Sequence, residues 1–113
     1  MIYLIDDDIN MAQCLSRYLR PEKTRIFSNA IDAINHIDED APKLIFLDVL
    51  LDGPDAFTFL NEIASYENTA QIPVVIVTSL KLKAANLAPY GVRKVLSKEN
   101  LTPEDVKSCL SLI

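Results

Sequence analysis

The segment IYLIDDDIN (residues 2–10) changes character twice within a few residues. Ile2, Tyr3, Leu4 and Ile5 are uniformly apolar, the pattern of a strand covered on both faces of a parallel sheet. Three aspartates follow, Asp6, Asp7 and Asp8. Adjacent carboxylates repel, and unless a cation or a proton intervenes their pKa values are pushed up. The corner is therefore either a solvated turn or a ligand site. Beyond it the period becomes helical: Met11, Cys14, Leu15, Tyr18 and Leu19 form a stripe, and Pro21 stands just past the expected helix end. Strand, acidic corner and helix make one βα unit.

The unit recurs along the chain. Arg25–Ser28 is a weaker, edge-like strand, followed by a stripe of Ala30, Ala33, Ile34 and Ile37. Leu44–Leu47 is again wholly apolar and stops at Asp48; after a loop with Asp52, Gly53 and Pro54, a third helix starts near Asp55 with the stripe Ala56, Phe57, Leu60, Ile63 and Ala64. Val74–Val77 is β-branched throughout and ends at Thr78 and Ser79. Residues 81–90, interrupted by Pro89 and closed by Gly91, make the weakest helix; Val92, Val95 and Leu96 make the last strand, running into Ser97 and Lys98. Thr102 and Pro103 read as N-cap and first residue of a final helix with Val106, Cys109, Leu110 and Ile113 on its stripe. Five strands alternating with five helices predict an α/β domain with right-handed crossovers and a parallel sheet covered on both faces.

The bulk numbers narrow the function classes. The 113 residues are 50% hydrophobic and 24% charged, which suits one domain with a real core, spanning residues 1–113. Eleven basic residues against sixteen acidic ones give a net charge of -5, which disfavours direct binding of nucleic acid or an anionic membrane. No apolar run is long enough to span a bilayer and no basic leader precedes the first strand, so a cytoplasmic location is expected. Cys14 and Cys109 fall on helical stripes without metal-ligand spacing and are expected to be buried thiols. With two glycines in the chain, a glycine-rich phosphate loop is excluded. His36, the one histidine, lies away from the strand ends and is expected at the surface, which leaves no Ser/His/Asp triad.

In doubly wound sheets ligands bind at the carboxyl ends of the strands. There the first strand delivers Asp6–Asp8, the third Asp48, the fourth Thr78 and Ser79, and the fifth Ser97 and Lys98. Carboxylates with few other donors suit a hard dication such as Mg2+, whereas transition metals would want histidine or thiolate. A dication, a hydroxyl and a lysine around one carboxylate can cradle a phosphoryl group. Asp48, standing singly on the central strand, is best placed as nucleophile, and the acidic cluster as metal holder.

The motifs LIDDD (4–8), LIFLDV (44–49), VVIVTS (74–79) and VLSK (95–98) together resemble the receiver domain of two-component response regulators across residues 2–112. The resemblance implies a flavodoxin-like fold with strand order 2-1-3-4-5. It implies Asp6 and Asp7 as the acidic pair, Asp7 contacting Mg2+ directly and Asp6 mainly through water, with Asp8 in a variable third position. It implies Asp48 as phosphoacceptor, the Leu50 backbone carbonyl as a metal ligand, Thr78 as switch hydroxyl and Lys98 as the phosphoryl-binding cation. A sensor histidine kinase or phosphotransfer protein would be the donor. An effector domain or protein would read the face made by the fourth helix, fifth strand and fifth helix, and homodimerisation is an option. Such a domain catalyses only its own phosphotransfer and dephosphorylation and is not an enzyme with a turning-over substrate.

The chain also departs from that pattern. Lys98-Glu99 replaces the usual lysine-proline, so no cis bond is expected there. Val95 takes the place of an aromatic that changes rotamer on activation, and the fourth helix is expected to be irregular. Leu50 and Leu80, two residues past Asp48 and Thr78, cannot orient an attacking water, which predicts slow self-dephosphorylation. Two rival readings stay open: a pseudo-receiver working through protein contacts alone, and a haloacid-dehalogenase-type phosphatase with Asp6 as nucleophile, which lacks a late acidic motif and room for a cap.

Overall fold

The computed structural model describes residues 1–49 and 56–113. The strands are β1 (Ile2–Ile5), β2 (Thr24–Phe27), β3 (Leu44–Leu47), β4 (Val74–Thr78) and β5 (Val92–Ser97). They form one parallel sheet in the order β2-β1-β3-β4-β5. The helices are α1 (Ile9–Tyr18), α2 (Ala30–Ile37), α3 (Ala56–Ala64), α4 (Ala84–Leu87) and α5 (Pro103–Ser108). This is the expected flavodoxin-like architecture. The loop residues Asp52, Gly53 and Pro54, the helix-start Asp55 and the carbonyl donor Leu50 lie outside the described residues.

The apolar strands carry two cores because side chains alternate across the sheet. Tyr3, Ile5, Ile45, Leu47, Val74 and Ile76 face α2, α3 and α4. Ile2, Leu4, Leu44, Phe46, Val75 and Val77 face α1 and α5. Every residue of β1, β3 and β4 is buried, which is why these strands show no polar alternation, whereas β2, at one edge, keeps Arg25 exposed. The Tyr3 hydroxyl stays satisfied within its core by donating to the Asp40 carbonyl at 2.6 Å.

Three helix faces differ from the expected stripes. In α3 the buried residues are Ala56, Phe59, Leu60 and Ile63, while Phe57 is 38% exposed and meets Tyr90 edge-on at 5.9 Å. Both phenylalanines lie near the apolar face, and Phe59 is the one that completes the i, i+3, i+4, i+7 stripe with Ala56, Leu60 and Ile63. In α1 the deepest residues are Ala12, Leu15 and Leu19, with Cys14 only partly covered, so it is not the buried thiol expected; Cys109 is buried. Ala12, Leu15 and Leu19 are spaced i, i+3, i+7, so the buried stripe is centred on Ala12 rather than on Met11 and Cys14. The last helix tightens to 3-10 geometry over Cys109–Leu112, which rotates the terminal Ile113 off the stripe to 54% exposure.

The expected weakness between residues 81 and 90 is present. α4 has a single turn without a side-chain N-cap and passes into a 3-10 turn at Ala88–Tyr90, which Gly91 closes at φ 82°, the left-handed region where glycine carries no Cβ penalty.

Candidate functional site

Strand register brings the polar residues together. Ile5 lies opposite Leu47, so the next residues, Asp6 and Asp48, leave adjacent strands side by side. The ladder continues past the strand ends: Asp48 N–H donates to Ile5 O and Asp6 N–H to Phe27 O, both at 3.0 Å. Both aspartates are 3% exposed and continue the parity of Leu4 and Phe46. On the other side of Asp48, Thr78 lies opposite Ser97, and Lys98 opens a 3-10 turn held by Ser97 Oγ, which accepts from Glu99 N–H at 3.3 Å. Among the described residues the Arg20-Pro21 bond is the cis one, so the Lys98-Glu99 bond is trans as expected.

The Lys98 ammonium reaches back over the sheet edge. Its Nζ donates to Asp48 Oδ2 at 2.9 Å and lies 3.0 Å from Asp6 Oδ2. The contact to Asp6 is close enough for an ion pair but not aligned as a hydrogen bond, so this buried oxygen has charge nearby and no directed donor. The other Asp6 oxygen accepts from the Asp8 N–H at 2.9 Å. Burial raises the Asp6 pKa, and the hydrogen bond from Asp8 N–H and the nearby Lys98 ammonium only partly offset it. Burial alone would lower the Lys98 pKa; the hydrogen bond to Asp48 and the charges of Asp48 and Asp6 outweigh it and raise the value. An ammonium thus already stands where two buried carboxylates demand positive charge.

Asp7 adds a third carboxylate. Oxygens of Asp6, Asp7 and Asp48 lie within 4.8 Å of one another, with Asp7 exposed and the other two buried. An all-oxygen set with one donor open to solvent, and an Asp6 oxygen lacking a directed donor, fits a divalent cation that keeps several waters. Asp8 does not join them. It caps α1, its side chain accepting from Asn10 N–H and Met11 N–H at 3.1 and 3.3 Å. A single run of three aspartates is therefore divided between a site and a helix cap. An aspartate just before a helical stripe is an N-cap signature, so this was the signal that could have separated Asp8 from its neighbours.

Thr78 is fully buried, and its Oγ1 accepts from Leu80 N–H at 3.3 Å, tying the end of β4 to the loop that leads into α4. His36 is half-buried on α2, its Nδ1 2.7 Å from Asp32 O and its ring against Phe27, and it is not among the side chains that converge with Asp6, Asp7 and Asp48. No helix among the described residues is long and apolar enough to cross a membrane.

Residues 2–110 match the response regulator receiver domain family. The chain belongs to that family. As a receiver it belongs to two-component signalling, in a family that is generally a signalling phosphoacceptor rather than a true enzyme. It is 30% identical over 80 residues to the transcriptional regulatory protein BaeR of Escherichia coli O6:H1; the match takes in 69% of the chain and 32% of that protein, so the receiver corresponds to about a third of the relative. The receiver domain of NtrX from Brucella abortus superimposes with a TM-score of 0.85 at 23% identity, covering 98% of this chain and 95% of that one. A CheY-like receiver domain protein from Methanospirillum hungatei superimposes at 0.84 with 16% identity, over 97% and 89% of the two chains. The Mn(2+)-bound response regulator Rcp1 superimposes at 0.82 with 21% identity, over 97% and 91%.

Proposed function

We propose that this receiver takes a phosphoryl group from a phosphohistidine onto Asp48 with Mg2+ and signals through the α4-β5-α5 face. The observation that carries the reading is the meeting of three carboxylates with the Lys98 ammonium at the carboxyl edge of the sheet. A carboxylate oxygen of Asp48 attacks phosphorus, the P–N bond of the donor breaks with its electron pair leaving to the imidazole, and an acyl phosphate results. Asp6, Asp7, Asp48 and the Leu50 carbonyl would hold the metal, which supplies charge neutralisation for the phosphoryl oxygens. Lys98, already within 3 Å of Asp48, exchanges a carboxylate for a phosphoryl oxygen with little movement.

Thr78 carries the switch. Because its oxygen accepts from Leu80 N–H, its own hydroxyl hydrogen is available to a phosphoryl oxygen. Turning toward that oxygen loosens the loop before α4, a single-turn helix with little stability of its own. The displaced segment then alters the α4-β5-α5 surface seen by an effector. The test is incubation with Mg2+ and acetyl phosphate followed by intact mass and peptide mapping. One base-labile phosphoryl group on the peptide containing residue 48 supports the reading. Absence of any adduct, with Mg2+ binding demonstrated, replaces it with a protein-contact module.

Two further outcomes follow. Asp8→Ala removes an N-cap and should cost about 1 kcal/mol of stability with Mg2+ affinity unchanged. Asp7→Ala should do the reverse, and a chemical-denaturation series with Mg2+ titration separates them. Leu80 is 46% exposed beside the Thr78 loop and offers no group to orient a water. Leu50→Asn with Leu80→Glu is therefore expected to shorten the acyl-phosphate lifetime by up to about a hundredfold, the lower end of the scale for a positioned acid-base group. An unchanged decay rate disproves that role.

A further inference from the structure

At the opposite end of the molecule from the carboxylates, the C-terminal ends of α2 and α3 border a cleft of about 130 Å³. Parallel crossovers impose this separation, since each helix runs back against its strand. Ile34, Ile37 and Ile63 supply apolar walls, Tyr66 an aromatic rim, and Asp38 and Glu62 a carboxylate on either side. The floor is fixed by buried Thr69, whose hydroxyl donates to Ile63 O while its N–H donates to Tyr66 O. The rim residue Tyr66 is 56% exposed, and Ile31, one helical turn before Ile34 on α2, extends the apolar surface at 48% exposure.

The charge around this cleft has one sign. Residues 30–40 and 56–70 contain Asp32, Asp38, Glu39, Asp40, Glu62 and Glu67 and no lysine or arginine. Setting these six aside leaves eleven basic residues against ten acidic ones, so the chain's net -5 resides on these two segments. The carbonyl ends of an eight-residue and a nine-residue helix add negative potential at the same place.

We propose that the α2–α3 cleft is a docking groove for a basic amphipathic helix of a partner protein. One apolar side chain sits among Ile34, Ile37 and Ile63, and flanking lysines or arginines meet Asp38 and Glu62. The sign of the charge rejects anionic membranes and nucleic acid, and the apolar surface beyond the cleft exceeds what a small amine would cover. The groove is separate from Asp48 and does not depend on phosphorylation chemistry.

The test is titration of the isotopically labelled chain, with Mg2+ saturating the carboxylate site, by a helical leucine-lysine peptide, using a leucine-glutamate peptide as control. Amide shifts should cluster at Ile34, Ile37, Ile63 and Tyr66 with the basic peptide alone. Asp38→Lys with Glu62→Lys should weaken binding at least about tenfold, whereas Glu22→Lys with Glu104→Lys, an equal change of net charge elsewhere, should alter it less than about twofold. Ile34→Gln should weaken binding in high salt, where the charge contribution is screened and apolar contact remains. Equal losses from the two double variants, shifts scattered over the surface, or no saturable shift overturn the proposal.

Discussion

Asp48→Asn is expected to abolish phosphoryl incorporation from acetyl phosphate and to weaken Mg2+ binding at least about tenfold, because metal affinity follows the number of charged oxygen ligands. The amide is nearly isosteric with the carboxylate and still accepts from Lys98, so the fold and the Asp48-side backbone bond to Ile5 should persist. An amide oxygen cannot form an acyl phosphate that survives as the carboxylate's does, and intact mass reads the difference directly. Residual labelling of the variant at a rate near that of the wild type would move the acceptor to Asp6 or Asp7 and revive the phosphatase-like alternative. Oxygens of all three aspartates lie within 4.8 Å of one another, so mapping of the labelled peptide is part of the measurement.

Lys98→Ala should produce the second large effect. It leaves buried Asp6 and Asp48 side by side without their ammonium, and at neutral pH the metal-free protein should lose about 1–2 kcal/mol. That figure is reduced from the 3–5 kcal/mol typical of breaking a fully buried pair because water reaches part of this edge. The direction with pH is determined by two shifts. The raised Lys98 pKa means that the wild type holds the full stabilisation below the ordinary lysine range and loses it only in alkali. Asp6 is already raised by burial and rises further when Lys98 is removed, so the ionised form opposes folding and its protonation in acid relieves the strain on the variant. The stability gap should therefore narrow as pH falls through the Asp6 titration, and also on adding saturating Mg2+ at neutral pH. Phosphotransfer should slow by about a hundredfold, as for loss of one preorganised charge at a reacting centre. Urea melts across pH, with and without Mg2+, check the first claim, and a gap independent of both would show that Lys98 acts through packing alone.

Short-range physics was legible in the sequence. A run such as Val74–Val77, buried on both faces, has no polar alternation to hide it, and the change of period after Ile5 marks the βα corner without any tertiary information. The chemistry of the strand ends was legible for the same reason: a polar residue that abruptly ends a wholly apolar strand has to face the sheet's edge. Family resemblance supplied the strand order, and the structure reproduces it.

Tertiary packing decided what periodicity leaves degenerate. Phe57 and Phe59 both border the apolar face of α3, and packing on the sheet buries Phe59, which completes the stripe of Ala56, Leu60 and Ile63, while Phe57 stays part-exposed. The three aspartates are chemically identical in sequence; register sets Asp6 beside Asp48, the turn leaves Asp7 open to solvent, and the start of α1 takes Asp8 as its cap. The cleft between α2 and α3 had no signature because its walls come from segments about thirty residues apart, and each reads by itself as an ordinary amphipathic helix. By itself the sequence determined which residues are strand, helix and polar edge, since those depend on neighbours a few positions away. Which of those residues share a charge, a metal or a groove was decided by the fold, because Coulomb forces and packing act over ångströms in space and take no account of separation along the chain.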